Sequence, residues 1–237
     1  MKGVVLSAGR GSRLSPITSY VPKPLLPVGG RRLIDLVLEF LSIKCDEIVL
    51  IAGYMSDTLL GYVRRRYPSV RVLSIDRLYP GNLYTLLAGK GHLRNSDLII
   101  ANADHVFERS LWQMFPSEEG LIQLACHRKG SRKFLEDEMK VKVEGDKLLK
   151  MSKSLTCYDG AYTGIALIKS GVSSLFWNTA HEVFKRKGEV AKVEDVFNEL
   201  AHEGIPRVVW IDDVPFWEVD TVEDLRRLWN AHKVGAI

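Results

Sequence analysis

The chain has 237 residues, 46% of them hydrophobic and 26% charged, a composition that suits a globular α/β protein large enough to bury a substantial core. Its formal net charge of +4 comes with no long basic run and no interleaving of basic and aromatic residues, so nucleic acid is not an expected partner. No stretch approaches the roughly 18 apolar residues of a membrane span, and the N-terminal apolar run is too short for a signal peptide. The three scattered cysteines, Cys45, Cys126 and Cys157, specify neither a disulfide framework nor a zinc site. A cytoplasmic protein with reduced thiols and no membrane insertion is expected.

Residues 3–6 form the first predicted strand. They run directly into Ser7-Ala8-Gly9-Arg10-Gly11-Ser12-Arg13-Leu14. A strand that ends in such small residues presents bare backbone N–H groups. With Arg13 and Lys23 as cations, the latter in Pro22-Lys23-Pro24-Leu25, this loop suits a polyphosphate. It is not a dinucleotide fingerprint, because Leu14 stands where the third glycine belongs, and it lacks the Gly-Lys-Ser/Thr ending of a Walker loop.

A helix is predicted over 32–43, a strand over 47–52 and a helix over 57–67, with Arg64-Arg65-Arg66 as its polar end. A strand over 71–75, a helix over 82–93 and a strand over 97–101 follow, the last ending at Asn102-Ala103-Asp104. This alternation predicts a parallel sheet with helices on both faces. Ligands of such sheets bind beyond the carboxyl ends of the strands, so the 7–13 loop and Asp104 are expected to share one crevice.

The second half changes character. Strands are predicted over 120–126, 140–144, 147–152 and 162–168, with Glu144-Gly145-Asp146 as a turn. Helices follow over 173–186 and 193–203, then a strand over 207–210 and a helix over 221–231 capped by Thr221 or Asp220. The segments 117–120 and 129–134 are loops. Without a repeat or linker, one domain over 1–237 is expected. Residues 1–115 form its nucleotide-binding half and residues 116–237 its acceptor-binding half.

Asp104, at a strand end beside a phosphate loop, is a candidate magnesium ligand or else a turn aspartate. In Phe216-Trp217-Glu218-Val219-Asp220-Thr221, alternate residues of an extended segment face the same way, so Glu218 and Asp220 can enter one site. Asp220 as a helix cap is the alternative, and the two roles can coexist. No Ser/His/Asp or Cys/His set suggests covalent catalysis.

The two segments Leu6-Ser7-Ala8-Gly9-Arg10-Gly11-Ser12-Arg13-Leu14 and Pro22-Lys23-Pro24-Leu25 resemble the signature of the sugar-phosphate nucleotidyltransferases. These enzymes transfer a nucleotidyl group to a phosphate monoester and release pyrophosphate. The resemblance extends to about Trp229. It implies a Rossmann-like nucleotide-diphospho-sugar transferase fold, with a mostly parallel central sheet, helices on both faces and a small mixed acceptor-binding lobe. Within the family, Gly81-Asn82-Leu83-Tyr84-Thr85-Leu86, Asn102-Ala103-Asp104-His105-Val106-Phe107 and Thr163-Gly164 resemble cytidylyltransferases acting on alcohol phosphates, inositol-1-phosphate cytidylyltransferases in particular. An acid at both Glu218 and Asp220 follows the same group.

By this resemblance, CTP and a small phosphate monoester are the substrates, inositol-1-phosphate the favoured acceptor and Mg²⁺ the cofactor. Leu6, Ser7, Ala8, Gly9, Arg10, Gly11, Ser12, Arg13, Lys23, Gly81 and Asn82 bind the nucleotide. Asp104, Glu218 and Asp220 hold metal. Asp104, Lys153, Tyr162, Thr163 and Gly164 face the acceptor, and Arg13, Lys23 and Lys153 carry the chemistry. Asn82 is alternatively a helix N-cap, Lys153 an exposed loop lysine, His105 a packed residue and Tyr84 core. Tyr158, Asp159, Tyr162 and Thr163 are candidate partners for acceptor hydroxyls. Tyr158, Asp159 and Tyr162 would instead cage the quaternary ammonium of phosphocholine. Sugar-1-phosphate transfer from UTP, dTTP or GTP is the nearest rival. A glycosyltransferase is disfavoured because Asp104 is followed by His105-Val106, not by a second aspartate. A homodimer is left open, and any membrane phosphotransferase acting downstream is expected to be a separate protein. Lys23 in a loop and Asp104 at a strand end are expected to serve turnover and not folding.

Overall fold

The computed structural model describes residues 1–117, 121–132 and 134–233. The predicted strand start at Gly120 and parts of the 117–120 and 129–134 loops lie outside the described residues. The first half contributes β1 (Lys2–Ser7), the short pair β2 (Pro27–Val28) and β3 (Arg31–Arg32), α1 (Leu33–Ser42), β4 (Glu47–Ala52), α2 (Ser56–Arg66), β5 (Arg71–Ser74), α3 (Leu83–Ala88), α4 (Lys90–Leu93), β6 (Leu98–Asn102), β7 (His105–Phe107) and α5 (Leu111–Met114). The second half adds β8 (Ile122–Arg128), β9 (Lys140–Glu144), β10 (Lys147–Ser152), β11 (Gly160–Ile168), α6 (Ser173–Lys187), α7 (Val193–Ala201), β12 (Pro206–Trp210), β13 (Phe216–Glu218) and α8 (Val222–Lys233).

Nine strands form one sheet in the order β5-β4-β1-β6-β11-β8-β12-β10-β9. The first four are parallel, as β-α-β alternation requires. β11 enters antiparallel between β6 and β8, β12 lies parallel to β8, and the β9–β10 hairpin closes the far edge.

Side chains of period two divide the core between the two faces. Val4, Leu6, Val49 and Ile51 pack with Leu83 of α3, Phe176 of α6 and Phe197 of α7. Val5, Leu50 and Ile99 pack on the other face with Ile34 and Leu38 of α1 and Leu59 of α2. A third, small cluster joins Leu14, Leu26, Val28, Val106, Val219 and Leu228. It seats the signature loop, β7, β13 and α8 on one another, which gives Leu14 a packing role where a dinucleotide loop has glycine.

Most predicted elements form within one or two residues of their expected ends, and the departures have local causes. The helix expected over 82–93 breaks at Gly89, whose backbone lies so close to Ile51 and Leu93 that a Cβ would stand 2.7 Å and 2.8 Å from their side chains. The helix expected over 193–203 ends at Ala201, three residues before Gly204 at φ +66°. Between residues 12 and 25, where the sequence predicts a loop, the chain makes three short 3-10 turns, Ser12–Leu14, Ile17–Ser19 and Lys23–Leu25. Among the described residues no helix is long and apolar enough to cross a membrane.

Candidate active site

β1 and β6 are adjacent and parallel, so the loops leaving their carboxyl ends open into the same crevice. β1 delivers residues 8–13 and β6 delivers Asp104. β13 pairs antiparallel with β7, setting Glu218 opposite His105, and the Val219 amide donates to the Asp104 carbonyl at 3.0 Å. Asp220, from the last segment of the chain, is thereby brought beside Asp104. Thr221 caps α8 through a reciprocal pair: the Asp224 amide donates to Thr221 Oγ1 at 3.2 Å and the Thr221 amide donates to Asp224 Oδ2 at 2.9 Å. The Asp220 carboxylate is left for the crevice.

Lys23 joins the two ends. Its Nζ donates to Asp104 Oδ2 at 2.6 Å and to Asp220 Oδ1 at 2.7 Å, with the side chain only 9% exposed. Lys23 is therefore a buried tie between distant segments, in contrast to the loop cation without a folding role that the sequence suggests. Its stem passes Gly11, whose φ of +62° favours glycine and where a Cβ would sit 3.1 Å from Lys23 Cβ. Arg13 bridges Asp220 Oδ2 at 2.9 Å and Asp137 Oδ2 at 2.8 Å. His105 Nδ1 lies 2.6 Å from Asp104 Oδ1, and its Nε2 lies 3.6 Å from Glu218.

These contacts set the protonation states. Burial alone would depress Lys23, but Asp104 and Asp220 outweigh it and hold the ammonium above the ordinary lysine value. Burial opposes ionisation of Asp104, yet Lys23 and His105 hold its carboxyl well below the usual carboxylate range. His105 is raised against its own desolvation by Asp104 and Glu218. Glu218 is raised, first by burial, against the opposing pull of His105.

A cavity of about 410 Å³ opens over this cluster, lined by Ser7, Gly9, Arg13, Lys23, Asp104 and Asp220 among others. The Ser7 hydroxyl at its wall is buried and has no hydrogen-bond partner among the described residues. An adjoining space of about 370 Å³ is lined by Ala8, Tyr79, Gly81, Asn82, Glu218 and Asp220. A narrower recess of about 130 Å³ holds Lys153, Tyr162, Gly164, Glu194 and Glu218. Among the described residues no ready-made cage of three or more His, Cys, Asp or Glu is present. Asp104 and Asp220 nonetheless aim oxygens at one cation position, which the Lys23 ammonium takes. Two carboxylates, completed by phosphate oxygens and water, are the donor set a magnesium ion accepts. Glu218 lies beside His105, one step removed from that position.

The structure brings most of the expected residues to this crevice but departs from the expectation at several. Leu6, Gly11 and Ser12 line it. Arg10 instead places its guanidinium 5.8 Å from the ring centre of Tyr54 and is not among the lining residues. Asn82 stands at the N-cap position of α3, but its side chain serves another helix: its Oδ1 accepts from the Val193 amide, 2.9 Å away at the start of α7. Thr163 is turned into the sheet, its hydroxyl donating to the Ala125 carbonyl at 2.8 Å, while Tyr162 and Gly164 line the recess. Tyr158 lies under the Lys129 and Lys140 ammoniums, and the Asp159 carboxylate is engaged by Lys142 and the Val143 amide, so Tyr158, Asp159 and Tyr162 form no cage. Tyr84 packs with Tyr79 and Phe184 against the core. Glu194 and Asp137, which the sequence reading missed, reach the site from α7 and the 129–139 segment. Glu194 is the second residue of a helix and carries no motif.

A strand-end phosphate loop, a buried lysine and two converging carboxylates, at the carboxyl edge of a doubly wound sheet, define a nucleotidyltransferase. Residues 3–135 match the MobA-like NTP transferase domain, and the chain belongs to this family. Over its whole length it is 27% identical to the Archaeoglobus fulgidus protein "Bifunctional IPC transferase and DIPP synthase", covering 45% of that protein. The chain thus spans about half the length of that relative. Its fold is that of the inositol-1-phosphate CTP transferase from T. maritima, with TM-score 0.82 and 20% identity over 99% of this chain and 96% of the other. A putative glucose-1-phosphate thymidylyltransferase from Bacillus anthracis superposes with TM-score 0.81 and 21% identity, over 97% and 94% of the two chains.

Proposed function

We propose that the protein transfers the cytidylyl group of CTP to a small phosphate monoester, inositol-1-phosphate first among them, with Mg²⁺ and release of pyrophosphate. The observation that carries this reading is Lys23 held between Asp104 and Asp220 beneath the glycine loop, at the floor of the 410 Å³ cavity. The choice of CTP and inositol phosphate is supported by the T. maritima neighbour, which is described as an inositol-1-phosphate CTP transferase, and by the resemblance of the Asn82, Asp104-His105-Val106 and Glu218/Asp220 segments.

The nucleophile, a phosphate oxygen, is already anionic, so the barrier is charge repulsion and in-line alignment, and cations and positioning dominate. Loop amides and Arg13 hold the β and γ phosphates, and the Ser7 hydroxyl offers a further donor. Lys23, kept protonated by its two carboxylates, moves a short distance to bridge the α phosphate and the acceptor phosphate. Lys153, across the recess, holds the acceptor phosphate. Asp104 and Asp220 would hold the Mg²⁺, which supplies charge neutralisation at the α phosphate. His105 fixes the Asp104 carboxylate by its 2.6 Å contact.

The test is a screen of CTP, UTP, dTTP and GTP read as pyrophosphate release, followed by CTP with a panel of phosphate monoesters and identification of the product by mass. CDP-inositol is the expected product. Turnover with UTP or dTTP alone would make the protein a sugar-1-phosphate nucleotidyltransferase, which shares the phosphate machinery and differs in the base and acceptor pockets. Preference for phosphocholine would retain cytidylyl transfer and reject inositol phosphate.

A further inference from the structure

The recess beside the phosphate cavity contains several carboxylates, and nearly all have a partner. Asp137 is paired with Arg13, Glu138 with Arg132 and Asp220 with Lys23 and Arg13. Asp224 caps α8, and Glu218 stands near His105. Glu194 differs. It lines the same recess as Lys153, Tyr162 and Gly164, and its Oε2 is shielded from solvent with no hydrogen-bond partner.

Burial pushes the Glu194 carboxyl above the ordinary glutamate range, against a hydrogen bond from its own backbone amide and the ammoniums of Lys192 and Lys153. A buried carboxyl oxygen without a partner costs stability, so the bare Oε2 calls for a reason. Helix capping does not supply one. The N-terminus of α7 is already served by Asp195, whose Oδ2 accepts from the Lys192 amide at 2.9 Å, and by Asn82, whose Oδ1 accepts from the Val193 amide.

We infer that Glu194 is an acceptor-recognition residue, whose carboxyl takes a hydrogen bond from a hydroxyl of the alcohol or polyol whose phosphate is held at Lys153. This rests on the proposed nucleotidyl transfer and adds to it the group that reads the acceptor. A trimethylammonium group has no N–H or O–H to give to Oε2 and is bound by aromatic walls instead. Among the described residues Tyr162 is the one tyrosine lining this recess, and Tyr158 is occupied beneath Lys129 and Lys140. A polyol offers several hydroxyl donors.

The experiment compares the wild-type chain with Glu194→Gln and Glu194→Ala. Each is assayed with CTP, Mg²⁺, inositol-1-phosphate and its monodeoxy analogues, and thermal unfolding is recorded in parallel. A site built around a substrate hydroxyl rejects the analogue lacking it by about 10⁴-fold in favourable cases. The wild type is expected to reject at least one deoxy analogue by about 100-fold or more, and Glu194→Ala to lose most of that discrimination. The acceptor KM should rise in the variant while the CTP KM stays close to wild type. The melting temperature of Glu194→Ala should equal or exceed wild type, because the buried oxygen without a partner has been removed.

Unchanged discrimination in Glu194→Ala overturns the inference and leaves cytidylyl transfer standing. So does a lower melting temperature in both variants with the acceptor KM unaltered, which would assign Glu194 to the α7 terminus. A preferred acceptor without hydroxyls overturns it as well. If the wild type uses another nucleotide or a hexose-1-phosphate, the proposed function falls. The same comparison with that acceptor's deoxy series then decides the role of Glu194 separately.

Discussion

Replacing Lys23 by methionine keeps most of the stem that passes Gly11 and removes the charge that joins Asp104 to Asp220. Two charge-assisted hydrogen bonds disappear, at 2.6 Å and 2.7 Å, each of a kind that contributes about 1.5–3 kcal/mol. The two carboxylates are then left facing each other, with Arg13 and His105 as the nearest cations. Removing one member of a buried ion cluster costs about 3–5 kcal/mol. Asp104 and Asp220 keep 27% and 19% of their side-chain exposure, and the water they retain favours the lower figure. At roughly 2–4 °C per kcal/mol for a chain of this size, the melting temperature without divalent cation should fall by about 6–12 °C. Turnover should fall by about 100-fold or more, the usual cost of deleting one preorganised charge from such a site. Thermal unfolding and pyrophosphate release measure the two effects. In a double-mutant cycle, Asp104→Asn should recover part of the lost stability, because it removes the repulsion that Lys23→Met uncovers. An unchanged melting temperature, or near wild-type turnover in the folded variant, would refute the assignment of Lys23 as both structural tie and site cation.

Gly164→Ala should lower stability by about 1–3 kcal/mol and impair turnover, since φ is +80° and the new Cβ would meet His105 Nε2 at 2.8 Å and Asn102 Nδ2 at 2.9 Å; unfolding and acceptor KM measure it. Asn82→Ala should cost about 1 kcal/mol through loss of the acceptor for the Val193 amide, read as a lower melting temperature. Asp97, bonded to Lys169 Nζ and the Ser170 amide at 2.7 Å each, is held below the ordinary carboxylate range by those partners against its own burial. Its contribution is present above the unfolded value and is lost as pH falls through the folded one. Asp97→Asn should therefore destabilise the protein at pH 7 and converge with wild type in strong acid, as denaturation curves at the two pH values will report.

Much of the fold was legible because the signals are local. The strands at 47–52, 140–144 and 147–152 carry apolar runs or a Gly turn that fix their ends, and most other boundaries shift by only a residue or two, where terminal hydrogen bonds fray. The glycine loop after β1 and the lysine of Pro22-Lys23-Pro24 pointed to the crevice that both of them line. The extended segment at 216–220 was legible, but β7 and its pairing with β13 were not, because three residues are too few to show a period of two and the pairing spans more than a hundred residues. The short 3-10 turns between residues 12 and 25 lack any apolar period for the same reason.

Within the site, position at a strand end or beside the glycine loop made Asp104, Lys23, Glu218 and Asp220 candidates, and the family resemblance supplied their expected roles. Which partner each would meet depended on packing. The third apolar cluster sets α8 and β13 against the signature loop and so decides that Asp220 faces Lys23 while Glu218 faces His105. An interruption of the β11 register between Tyr162 and Ala166, with Gly164 at φ +80°, turns Thr163 inward and lays Gly164 against His105. Glu194 had no motif at all, because an acid in the first turn of a helix is common on any surface; only the docking of α7 against β10 and β11 made it a buried wall. The linear sequence determined the supply of charges, strands and glycine-rich turns, which are local properties of short segments. The tertiary structure decided which of those charges became neighbours, because hydrogen bonds and ion pairs act over a few ångströms that only long-range packing can bring about.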